Sequence, residues 1–109
     1  SFFAARAGAA MVTGIDTNGH VCEVAKRIAA QYNYSDRTDF IKKDCREVQI
    51  GAGKHLAGKQ DLLIMELFDY GFLGEGALYF AQFAWQNCLR EDAKIVPEGG
   101  SVYAMVVEM

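Results

Sequence analysis

Two glutamates bracket the stretch of this sequence best equipped for chemistry. Residues 61–78 read DLLIMELFDYGFLGEGAL. The apolar run Leu62-Leu63-Ile64-Met65 has the character of a strand buried on both faces, and it ends on Glu66. A loop with Gly71, Gly74 and Gly76 follows and carries a second acid, Glu75. An acid at the end of a central strand and another on the loop beyond it can converge on one point. In open α/β sheets ligands bind there, outside the strand carboxyl ends. Paired carboxylates suit a cation, and a planar guanidinium fits best because it makes parallel two-bond contacts with carboxylates. The ordinary alternative is that Glu66 is a solvated strand end and Glu75 the first-turn acid that helix N-termini favour. Asp69 reads as a turn residue or a capping acceptor rather than a ligand.

The elements that must position these residues alternate along the chain. Residues 1–8 form a small-residue helix end, with Gly8 as its terminating residue. Residues 11–16, MVTGID, make a short strand ending on Asp16. Thr17 or Asn18 caps a helix over 20–32, whose apolar face is Val21, Val24, Ala25, Ile28, Ala29 and Tyr32. A strand over 38–43 meets the polar end Asp44-Cys45-Arg46. Residues 51–59 form a surface loop. Its Gly51-Ala52-Gly53-Lys54 lacks the spacing of a phosphate-binding loop. The strand 61–66 comes next. A helix over 76–90 presents Ala77, Phe80, Ala81, Ala84 and Cys88 on one face, widened by Phe83 and Trp85. The last extended stretch, 94–107, is broken at 97–100. Strands separated by helices predict an α/β fold with a parallel sheet and right-handed crossovers.

Composition narrows the function classes. The chain has 109 residues, enough for one small core. It is 51% hydrophobic and 23% charged, which is ordinary globular usage. The net charge is −3 and the sequence contains no basic run, which disfavours a nucleic-acid surface. No apolar run approaches membrane-spanning length. Cys22, Cys45 and Cys88 are odd in number and unpatterned, so they read as free thiols in a reducing, cytoplasmic or nuclear compartment. Together with His20 and His55 they match no zinc spacing. The chain opens as though within a helix and closes while apolar alternation is still running, and the expectation is a piece of a longer protein.

Asp16 adds a second clue. In nucleotide-binding α/β folds an acid at a strand end accepts hydrogen bonds from ribose hydroxyls. Its setting, after AARAGA and within VTGID, resembles the S-adenosylmethionine-dependent methyltransferases. A dinucleotide dehydrogenase uses such an acid in the same way, but the sequence has no glycine fingerprint for one. The segment ELFDYGFLGEGAL resembles the double-glutamate loop of protein arginine methyltransferases, and its LFD and LGEGAL look most like the branch that makes monomethylarginine. The resemblance covers essentially the whole chain.

It implies a partial Rossmann-like class I methyltransferase sheet with flanking helices. The first strand, expected in mid-sheet, is missing. The implied methyltransferase domain covers 1–96, and 97–109 form the junction into a β-barrel. By matching position, Glu66 and Glu75 would grip the substrate guanidinium and Asp16 would bind the cofactor ribose. Asp44, Cys45 and Arg46 would lie on the adenine side, although several relatives have glutamate where Arg46 stands. The cofactor would be S-adenosylmethionine and the substrates Arg-rich proteins. The isolated segment would be inactive, would bind cofactor poorly and would tend to self-associate through unpaired sheet edges. A catalytically silent Arg-binding relative remains the alternative.

Overall fold

The computed structural model describes residues 1–108. Contacts divide the chain into two units, Ser1–Ala57 and Gly58–Met109.

In the first unit a short helix α1 (Phe2–Arg6) has Ala7 as its C-cap, and Gly8 follows with a φ of +101°, a conformation that favours glycine. Strand β1 (Val12–Asp16) leads into helix α2 (Gly19–Gln31). Asn18 caps α2 by accepting from the N–H groups of His20 and Val21 at 3.0 and 3.4 Å. Strand β2 (Thr38–Lys42) returns parallel to β1, from Val12 opposite Thr38 to Asp16 opposite Lys42. A single 3₁₀ turn (Cys45–Glu47) follows.

The core of this unit is Cys22, Ala29 and Phe40, with Phe2, Ala25 and Tyr34 packed around it. The Phe2 ring lies 5.8 Å from Phe40 and 6.1 Å from Tyr34. The buried stripe of α2 is therefore Cys22, Ala25 and Ala29, whereas Val21, Val24 and Tyr32 are exposed. The face expected from the apolar spacing is rotated, because small residues let the helix sit close over the Phe40 ring. Thr38 is buried, and its hydroxyl donates to the Tyr34 carbonyl at 2.8 Å.

The second unit contains strand β3 (Gln60–Ile64), helix α3 (Ala77–Asn87) and strand β4 (Leu89–Val96), with β3 and β4 parallel. The parallel α/β architecture is as expected, but the four strands form two separate pairs.

Three local expectations are corrected. First, β3 ends at Ile64, so Glu66 lies beyond the strand. Leu62 and Ile64 are 44% and 52% exposed rather than buried on both faces. One helix covers only one face of a two-stranded ribbon. Second, β4 begins at Leu89 rather than at Lys94. The register shifts between Gln60 and Leu62, and this irregularity absorbs the charged run Arg90-Glu91-Asp92 that reads in sequence as a helix end. The Gln60 N–H donates to the Cys88 carbonyl at 2.9 Å, and Leu89 beside it is buried. Third, residues 101–108 form no strand, and Tyr103 and Val106 stand fully in solvent.

Gly14 sits under the Phe40 ring. A Cβ there would meet Phe40 Cδ1 at 2.6 Å and Cε1 at 2.9 Å. The ring is enclosed by Phe2 and α2, so it cannot swing clear. Gly14→Ala should destabilise the chain by about 1–3 kcal/mol in chemical denaturation. An unchanged midpoint would mean that Phe40 is less constrained than this packing indicates.

Candidate functional site

Parallel pairing places the carboxyl ends of β1 and β2 side by side. The Lys43 N–H donates to the Asp16 carbonyl at 2.9 Å, so the polar segment after β2 runs beside the end of β1. Asp16, Asp44, Cys45 and Arg46 thus gather at one edge of the first unit.

Their states differ. The exposed Asp16 accepts the Asn18 N–H at Oδ1, 2.7 Å away. Its Oδ2 takes no hydrogen bond from the described residues and is free to accept a ligand hydroxyl. The Asp44 carboxylate is already engaged. It caps the 3₁₀ turn, and its Oδ1 accepts from the backbone N–H and from Nε of Arg46 at 2.9 and 2.8 Å. Its Oδ2 contacts Nη2 of the same guanidinium. The Arg46 guanidinium, assisted by the Arg46 backbone N–H, holds the Asp44 carboxyl well below the usual carboxylate range. Burial pushes the Cys45 thiol up, and the neighbouring Asp44 charge pushes it the same way. Cys45 is therefore a neutral thiol at pH 7.

One contributor escaped the sequence reading. The Lys42 stem passes over Gly19 at the start of α2, where a Cβ would meet Lys42 Cδ at 2.8 Å. The small residue at Gly19 is the only sequence signal of this approach.

In the second unit the two glutamates stand at either end of one loop. The Met65 N–H still bonds to the Val96 carbonyl at 3.0 Å, and the chain leaves the β3–β4 ribbon at Glu66. It re-enters regular structure at α3, whose N-cap is Gly76 with a φ of +79°. Glu75 therefore lies outside the helix, which has no acid in its first turn. The ordinary reading of Glu75 as a first-turn acid does not hold. Glu66 and Glu75 are both exposed, and neither makes a hydrogen bond or an ion pair among the described residues. Asp69 acts as a turn acceptor, taking the Gly74 N–H at 3.0 Å. Among the described residues no group of three or more His, Cys, Asp or Glu side chains could hold a metal ion.

Parallel strands with helical crossovers, an open acid at one strand end and an acid-bracketed loop after another place the chain in the class of Rossmann-like α/β proteins. No protein-family model matches the chain. Whole-chain relatives nevertheless exist. Protein arginine N-methyltransferase 7 of Aedes aegypti is 37% identical over 108 residues, that of Mus musculus 35% and that of Xenopus laevis 33%. Each match takes in 99% of this chain and 16% of the relative, so the chain spans about a sixth of the proteins it matches. Among solved structures, the Trypanosoma brucei PRMT1 enzyme–prozyme heterotetrameric complex with AdoHcy superposes with a TM-score of 0.75 at 31% sequence identity. That match covers 86% of this chain and 27% of the other. Within its class the chain is similar over nearly its whole length to one segment of the protein arginine methyltransferases.

The Asp44–Arg46 contact has a pH consequence. A carboxyl whose folded pKa is depressed contributes stability that is complete above its ordinary value of 3.8 and is lost as pH falls further. The turn at Cys45–Glu47 should thus be insensitive to pH near neutrality and loosen only in strong acid. Carbon-detected NMR titration should place the Asp44 midpoint well below 3.8, and Arg46→Ala should return it towards that value. A midpoint unmoved by Arg46→Ala would assign the depression to something other than the guanidinium.

Proposed function

We propose that the chain is the catalytic-domain segment of a protein arginine N-methyltransferase that transfers a methyl group from S-adenosylmethionine to a guanidinium nitrogen of Arg-rich protein substrates. The observation that carries this reading is the pair of exposed, unpartnered carboxylates, Glu66 and Glu75, at the two ends of one pinned loop.

The residues present fit the cofactor. The open oxygen of Asp16 suits a ribose hydroxyl, and the half-buried Cys45 beside Arg46 suits the edge of a purine. Asp44 serves that side through Arg46, whose guanidinium it fixes. When bound, S-adenosylmethionine supplies an electrophilic sulfonium methyl.

The chain's own residues do the rest. Arginine is a poor nucleophile because its guanidinium stays protonated and delocalised. Glu66 and Glu75 accept its N–H groups, hold positive charge on the nitrogens that do not react, and fix the one that does. Each such charge-assisted bond contributes about 1.5–3 kcal/mol.

In this reading residues 1–96 belong to the methyltransferase domain and 97–109 lead into a β-barrel region. The isolated segment self-associates through its unpaired sheet edges, and the parent protein works in the cytoplasm, the nucleus or both. Three free thiols, Cys22, Cys45 and Cys88, support the reducing compartment.

The test uses the complete parent protein with methyl-labelled S-adenosylmethionine and an Arg-Gly-rich peptide. Glu66→Gln and Glu75→Gln should each lower turnover by about 100-fold or more, the scale of losing a preorganised electrostatic group. Near-normal turnover in both variants would sink the clamp. An unlabelled peptide with wild type would move the assignment to an arginine-binding relative without transferase activity.

A further inference from the structure

The loop between the two glutamates has its own internal fastening. Asp69 Oδ1 accepts the Gly74 N–H at 3.0 Å, and the Asp69 carbonyl accepts the Phe72 N–H at 3.0 Å. The carboxylate sits so close over Gly74 that a Cβ there would overlap it. Phe72 adopts a φ of +67° and stacks its ring on Phe68, with centroids 4.5 Å apart and planes 7° from parallel. Gly100 backs that ring, since a Cβ there would meet it. The Gly76 N–H then bonds to the Leu73 carbonyl at 3.0 Å and hands the chain to α3. Of these ties, the Asp69 carboxylate is the only polar side chain that joins the Glu66 arm of the loop to the Glu75 arm among the described residues.

We infer that Asp69 is a positioning residue that sets the separation of Glu66 and Glu75 by holding the Gly74 N–H. The inference rests on the guanidinium-clamp reading. Its physical content is that an oxygen acceptor is required at Asp69, not a negative charge. An amide oxygen can still accept the Gly74 N–H, though without the charge assistance of the carboxylate, whereas it cannot supply the attraction for a cationic substrate. Displacing Glu75 relative to Glu66 would misplace the reacting nitrogen and so lower turnover more than binding. Gly74→Ala provides a second perturbation. It leaves the carboxylate in the chain but drives it from its place.

The experiment compares wild type, Asp69→Ala, Asp69→Asn and Gly74→Ala in the complete parent protein. Two readouts are taken: kcat and KM for an Arg-Gly-rich peptide, and hydrogen exchange over residues 66–76. Asp69→Ala and Gly74→Ala should lower kcat by about tenfold or more, leave KM within about twofold, and speed exchange in the loop. Asp69→Asn should stay near wild type in both readouts. An Asp69→Asn variant as impaired as Asp69→Ala, with the loss in KM, would overturn the inference and make Asp69 a contact for a cationic substrate. Unchanged exchange in both Asp69→Ala and Gly74→Ala would also overturn it. A wild-type protein that methylates no arginine overturns the clamp reading instead, and the exchange comparison still decides whether Asp69 pins the loop.

Discussion

Parallel strand pairing is the constraint on which the remaining features depend. Two strands running the same way must be joined by a crossover, and their carboxyl ends then emerge at the same edge. In the first unit α2 is that crossover, and it brings the segment after Lys42 beside Asp16. An antiparallel hairpin would have put Asp16 and Asp44 at opposite ends of the ribbon. The core follows from the same pairing. Phe40 on β2 lies opposite Gly14 on β1, and only a residue without a Cβ leaves room for the ring that α2 and Phe2 close over. In the second unit β3 and β4 run parallel with α3 between them, so the loop after β3 leaves the carboxyl edge of the pair and must travel to the start of α3. Its length and its internal ties are consequences of that path.

What the sequence disclosed follows from how local each signal is. Asn18 before an apolar-periodic stretch marks the start of α2, because the cap bond closes within three residues. The phase of α2 was harder to see. Hydrophobicity favours Val21 and Val24, yet the helix buries Cys22 and Ala29, since packing against a ring rewards small side chains. The sequence points to a later start for β4, because Arg90, Glu91 and Asp92 look like a solvated helix end. They are accommodated in a strand only by a register shift that depends on a partner distant in sequence. The strand-end acid Asp16 and the acid-bracketed loop are legible from residue type and spacing alone, although Glu66 stands beyond its strand rather than on it. The engagement of Asp44 by Arg46 was not, because it depends on a 3₁₀ turn that lets residues two apart face each other. Nor was the Lys42 stem over Gly19, a contact between residues far apart in the chain.

Solvent exposure decides what the glutamates can do in their present surroundings. An ion pair between exposed groups contributes about 0–1 kcal/mol, since water and salt screen it and two long side chains must be held still. A guanidinium clamp of catalytic use needs the larger contribution of charge-assisted bonds, about 1.5–3 kcal/mol each, and bonds of that strength require water to be excluded. Glu66 and Glu75 stand in solvent here. The 108 matched residues are about a sixth of the length of the relatives. On the proposed reading, the segment therefore contributes the charge and its spacing, and the walls that make the charge effective are contributed by other parts of the longer protein. The exposed Val102, Tyr103, Met105 and Val106 support that division of labour. Apolar side chains in such a run gain free energy only when something covers them, at about 25 cal/mol for each Å² removed from water. The order of effects is then set by physics rather than by position in the chain. Pairing fixes where the loop leaves; on the proposed reading, the pinned loop then sets how far apart its acids stand, and burial by other parts of a longer protein determines whether that spacing can act on an arginine.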